Sequence, residues 1–151
     1  MNIPSTRPLK AALLCLGVVF VGLAQAQMPN SSSSENARVY FVQPADGQVF
    51  DAQDHAGVEI IFGLTGMQVA PAGIPEPNSG HHHLLINVEQ LPDLTNPLPA
   101  TDQVRHFGKG QTSTRVKLLP GKHRLQLIVG NQVHIPHSPP VMSDIIEIEV
   151  R

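Results

Sequence analysis

The apolar residues of this chain recur at every second position, in short runs that glycine or proline interrupts, and no stretch carries a convincing helical period. Val58, Ile60, Phe62 and Leu64 alternate, as do His82, Leu84, Ile86 and Val88 within 81–89. His123, Leu125, Leu127 and Val129 alternate with Lys122, Arg124, Gln126 and Ile128, and Ile146, Ile148 and Val150 with acidic residues. Side chains of a strand point to opposite faces in turn, so each run predicts a strand, the first of them with one buried face. Residues 38–43 and 111–118 predict two more. Asp46-Gly47 and Pro120-Gly121 mark turns, and 67–80 and 91–101 are proline-rich connections. Short strands at this spacing predict an all-β domain over 38–151, an immunoglobulin-like β-sandwich of about seven antiparallel strands.

Residues 1–26 have the three parts of a secretory signal peptide. Arg7 and Lys10 form the positive start, 11–23 the uncharged apolar stretch, and Ala24-Gln25-Ala26 the small-x-small cleavage pattern. Cleavage before Gln27 predicts a periplasmic or secreted protein. The apolar stretch falls short of the roughly 20 residues that span a bilayer. Cys15 lies mid-way along it behind Leu13 and Leu14, which suits an ordinary signal residue better than a lipidation site.

Cleavage would leave 125 residues with no cysteine, so no disulfide, and stability must come from a single core. Eight basic against 12 acidic residues give the mature chain a formal charge of −4, which argues against nucleic acid or anionic lipid as partner. Residues 27–37, with four consecutive serines, read as a flexible linker too polar to pack.

Histidine is the loudest chemical signal. All eight lie beyond residue 26: His55, His81, His82, His83, His106, His123, His134 and His137. Neutral imidazole suits copper, zinc, nickel and iron, and without thiolate any site must use histidine, carboxylate or the thioethers of Met67 and Met142. On a strand His81 and His83 point the same way, with Cα atoms about 6.5–7 Å apart, close enough to converge on one ion. His82 faces the other way, as a buried polar residue. His134 and His137 flank Pro136 in a loop that the proline stiffens, either as a half-site or as loop braces. His106, before Phe107-Gly108, sits at a strand-to-turn junction and could complete a site. His123 follows a Pro-Gly turn, where sandwich folds place a ring whose polar tip reaches backbone. His55 lies among Asp51 and Asp54, at the surface.

Other chemistries find little support. No Gly-x-Ser-x-Gly elbow, phosphate-binding glycine loop or mature thiol is present, and most acids fall in turns or on outward strand faces.

Several blocks together resemble a bacterial envelope family known as domain of unknown function 4399. They are Gly66-Met-Gln-Val-Ala-Pro-Ala-Gly73, Gly80-His-His-His-Leu-Leu-Ile86, His106-Phe-Gly108, Pro120-Gly-Lys-His-Arg-Leu-Gln-Leu127 and His134-Ile-Pro-His-Ser-Pro-Pro-Val141. The resemblance spans Val39 to Arg151 and implies an exported sandwich domain, with no activity to carry over.

The residues therefore predict a periplasmic metal-binding protein, copper before zinc, with His81, His83, His106, His134 and His137 gathered at one end of a β-sandwich. Metal needs deprotonated imidazole, so affinity is expected to fall below about pH 6.5. The alternative is a non-catalytic module that binds an envelope protein or glycan, its histidines structural. An enzyme would need an open coordination position, which nothing in the sequence documents.

Overall fold

A computed structural model describes residues 31–151, and every regular element among them is a strand. The expected signal peptide over 1–26 and residues 27–30 lie outside the described residues. In chain order the strands are β1 (Arg38–Gln43), β2 (Val49–Phe50), β3 (Val58–Thr65), β4 (Gln68–Val69) and β5 (Ser79–Ile86). They continue with β6 (Val104–His106), β7 (Ser113–Val116), β8 (Gly121–Gly130) and β9 (Ile146–Val150). No helix among the described residues is long and apolar enough to cross a membrane.

Two sheets form. The smaller has the order β1-β3-β7, and the larger runs β2-β9-β8-β5-β4, with β6 also paired to β5. The long pairs are antiparallel, but the two-residue strands β2 and β4 run parallel to β9 and β5. The alternating runs explain the layering. Val58, Ile60 and Phe62 of β3 face Leu84 and Ile86 of β5, Leu125, Leu127 and Val129 of β8, and Ile148 of β9 across one buried core. Burying each such side chain contributes about 1.5–3 kcal/mol.

The larger sheet is covered on its other face too. Leu85 and Ile128 point away from the main core and pack with Leu98, Val104 and Met142, from the 87–103 connection, β6 and the segment leading to β9. This second layer is why all eight residues of β5 are buried. The proline-rich connection folds back over the sheet and closes its outer side.

The serine-rich segment is also less free than its composition predicts. Ser32 forms a parallel bridge with Ser138, the Ser138 N–H donates to the Ser31 carbonyl at 2.9 Å, and Asn131 Nδ2 donates to Ser31 Oγ at 3.0 Å. Serine backbone and hydroxyls pair as readily as any others once a partner edge is nearby.

Candidate metal centre

Three pieces of local structure bring four histidines to one point on the outer face of the larger sheet. The period of two on β5 puts His81 and His83 on the face of Leu85, 0% and 1% exposed. The β5–β6 register sets His106 directly opposite His83. The fourth, His134, arrives from the loop after β8. Asn131 shapes that loop: its Oδ1 accepts the N–H groups of Val133 and Ile135 at 3.0 and 3.1 Å, and its carbonyl accepts the His134 N–H at 2.9 Å. His134 itself sits at φ 68°, a left-handed conformation costing about 1–2 kcal/mol for a residue with a side chain. Its carbonyl is held by the Leu98 N–H at 2.9 Å. The surrounding hydrogen bonds offset the strain and aim the ring at β5.

Glycine makes the room. Gly130 pairs with His81 across β5–β8, and a Cβ there would lie 2.8 Å from His83 Cε1 and 3.3 Å from the His134 carbonyl carbon. A Cβ on Gly108 would collide with the His106 ring.

The ring centroids of His81 lie 4.8, 4.9 and 5.1 Å from those of His83, His106 and His134. His106 and His134 are 4.5 Å apart, and His81 Nε2 lies 3.1 Å from His134 Nδ1. Each histidine offers one nitrogen, and these four lie within 4.8 Å of one another. An ion at about 2.0–2.1 Å from each nitrogen would hold tetrahedral neighbours about 3.3 Å apart and any pair within about 4.2 Å. The set is slightly open, within reach of small ring rotations.

The electrostatics favour the ligand form. Burial pushes the His81 imidazole down to about 4, helped by neighbouring His106, His134, His82 and His137. His83 is pushed down to about 3 by burial and then by His81, His106 and His134. His106 is lowered as well, by burial and by His134. None of these neighbours is a carboxylate, and the backbone of His81, which raises His83, only partly offsets the burial. His81 Nδ1 and His83 Nδ1 are buried without a hydrogen-bond partner. A buried polar group left unpaired costs about 1–3 kcal/mol, a penalty that an ion bound at the ring would offset. The all-nitrogen donor set fits a borderline metal ion, and the cluster of four, two of its rings buried, is compatible with metal binding.

The other histidines lie elsewhere. His137 is outside the quartet although only three residues beyond His134. Its Nε2 lies 3.0 Å from where a Gly80 Cβ would stand, beside Val129 on the inner face of the sheet. The loop wraps around the sheet end, so its two histidines land on opposite faces. His137 is lowered by burial, partly offset by the backbone of Ser31, Ser32 and Ser79, yet neither ring nitrogen makes an aligned hydrogen bond. His82 also faces inward, its ring 5.1 Å from that of Phe62. His123 does the bracing expected of it: Nε2 donates to the Leu119 carbonyl at 2.7 Å and Nδ1 accepts from Asn87 Nδ2 at 3.0 Å. His55 is exposed. Met67 and Met142 belong to the two apolar clusters.

The histidines of the quartet lie near the end of the sheet where β5 begins and β8 finishes. They stand on its outer face, under loops, rather than between the sheets. Sequence reasoning overlooked Gly130, Gly108 and Asn131. The Gly-Asn pair at 130–131 was the available signal, since both residues favour turns.

No curated protein and no solved structure matches the chain. A protein-family model does, over residues 60–151, a stretch that contains all four histidines of the quartet. The chain belongs to the family described as Domain of unknown function (DUF4399).

Proposed function

We propose that this is an exported metal-binding protein whose centre is His81, His83, His106 and His134, with copper the favoured ion and zinc the second. The observation that carries it is the convergence of four imidazole nitrogens within 4.8 Å, two of the rings wholly buried and each with an unpartnered nitrogen. Imidazole-only sites follow the general order of divalent affinity, in which copper exceeds zinc. A closed set of four protein ligands suits holding an ion better than activating a substrate. The N-terminal signal pattern motivates the compartment.

Titration of the metal-stripped mature protein with copper and with zinc, beside a His81→Ala/His83→Ala variant, tests the centre. Stoichiometric binding lost in the variant is the expected result. Equal, weak binding by both proteins would sink the proposal and leave the histidines as structural residues. Burial holds the His81 and His83 imidazoles neutral below pH 6.5, so the affinity that these two rings provide should persist as pH falls towards about 4.

A further inference from the structure

We propose that metal enters and leaves the quartet through His106, the exchangeable ligand, and passes to an acceptor whose ligand-bearing face is neutral or acidic. This rests on the metal-binding reading above.

The four ligands differ in how they are held. His81 and His83 stand on a strand paired with β8 on one side, and His83 with β6 on the other. Both rings are buried beneath the loops over this face, so neither can turn out to water without moving that cover. His134 is half-buried, and its backbone is bonded through both its N–H and its carbonyl. His106 is exposed, ends a three-residue strand, and lies over Gly108, which has no side chain to confine it. A rotation of its side chain carries the ring into water, where both nitrogens are solvated.

The donor set favours exchange. Ligating histidines usually give their second ring nitrogen an acceptor that stiffens the ring and raises its basicity. No carboxylate belongs to the set, so none of its members can brace another ring in that way. Such a site grips by number of ligands rather than by strength of each, so loss of one opens it.

The mouth has a definite chemistry. Segments 71–75, 106–110 and 131–134 are tied together by Ala72 N–H to the Gly108 carbonyl at 2.9 Å and Gly73 N–H to the Gln132 carbonyl at 2.8 Å. Lys109 is their one formally charged side chain, and Glu76 follows the first segment, its N–H donating to the Ile74 carbonyl at 2.9 Å. Ile74 stands half-exposed on the same rim. On the other flank Asp102 and Arg105 carry one charge of each sign, and Arg105 Nε donates to the Asp102 carbonyl at 3.4 Å. Loading adds the positive charge of the ion itself. The loaded mouth therefore repels a cationic acceptor and admits a neutral or anionic one.

Stopped-flow transfer of one equivalent of Cu(II) from the mature protein to EDTA tests this, with His106→Ala and Lys109→Glu variants whose folds are checked by circular dichroism. The wild-type rate should rise with EDTA concentration. His106→Ala should still take one equivalent and release it about tenfold faster or more. Lys109→Glu should bind as the wild type does but transfer about two- to threefold more slowly, the gap closing at high salt. Release from His106→Ala no faster than from the wild type, or a wild-type rate independent of EDTA, overturns the route. Lys109→Glu matching the wild type at low salt overturns the charge preference. A wild-type protein that takes up no copper overturns the metal reading itself, and the route with it.

Discussion

The outer and inner faces of β5 carry the same side chain to opposite ends. Outside, His81 and His83 meet His106 and His134 in a cluster of four potential ligands. Inside, His82 packs on Phe62, and His137 fills the space left by Gly80. Both faces bury imidazoles, lower their proton affinity and leave ring nitrogens unpartnered. Burial and depressed basicity therefore do not distinguish a ligand site from a packed core. Convergence does: only the outer face draws ligands from the central strand, a short edge strand and a loop to one point. The glycines serve the two faces differently, Gly130 and Gly108 making room for rings outside and Gly80 admitting one inside.

The contrast is sharpest in metal affinity. Loss of both His81 and His83 should weaken copper binding by at least about 100-fold, on the order of the loss expected for disrupting a metal shell. The inner double variant, His82→Ala/His137→Ala, should change affinity by less than about threefold at positions that touch no ion, while lowering Tm through lost packing. Comparable affinity losses on both faces would abolish the distinction, and isothermal titration reads it directly.

Thermal unfolding measures the same difference in another way. At free metal about 1,000 times Kd, binding should add about 4 kcal/mol to the stability of wild type and of the inner variant. Chelation should reverse the rise in Tm, and the outer variant should show none.

Acid should weaken the metal-free fold through both faces. An unfolded histidine titrates near 6.5, whereas His81 and His82 are pushed down to about 4 and His83 to about 3. Above 6.5 both states are neutral and these groups add no pH dependence. Between 6.5 and about 4 the unfolded chain takes up protons that the fold refuses, so stability falls steadily with pH. Tm measured across that window should decline for the apo protein and decline less with metal bound. A flat profile would mean that the rings are not shielded from water.

Gly130→Ala probes the outer face more gently. The added Cβ, 2.8 Å from His83 Cε1, must displace the ring or the backbone, at about 1–3 kcal/mol. Metal affinity should drop with Tm in this variant. Gly73→Ala, where a Cβ would meet nothing within 4 Å, should cost only the strain of its φ of 81° and leave affinity alone.

Much of this was legible in the chain. Alternation through Val58–Thr65 and Gly121–Gly130 marked two central strands of the sandwich, and β1 fell where its run of residues ends at Pro44. The pairing of His81 with His83, and the separation of His82, followed from a period of two. What could not be read was the second layer over β5. Its cover comes from 87–103, a proline-rich connection whose path depends on where Leu98 and Leu94 find apolar partners. His134 and His137 were indistinguishable for a similar reason. Three residues of loop reverse direction through one left-handed residue and the hydrogen bonds of Asn131, and no local pattern announces that turn.

The sequence alone determined which chemistry was available: abundant imidazole, no cysteine beyond Cys15, strands rather than helices, and a signal pattern at the front. Those are properties of residue type and of short-range sterics, which do not wait for the fold. Tertiary structure decided which imidazoles share a point. His81 and His134 are 53 residues apart in sequence, yet their nitrogens lie at 3.1 Å. That distance comes from sheet register and loop closure, long-range terms set by the whole core and written in no single segment.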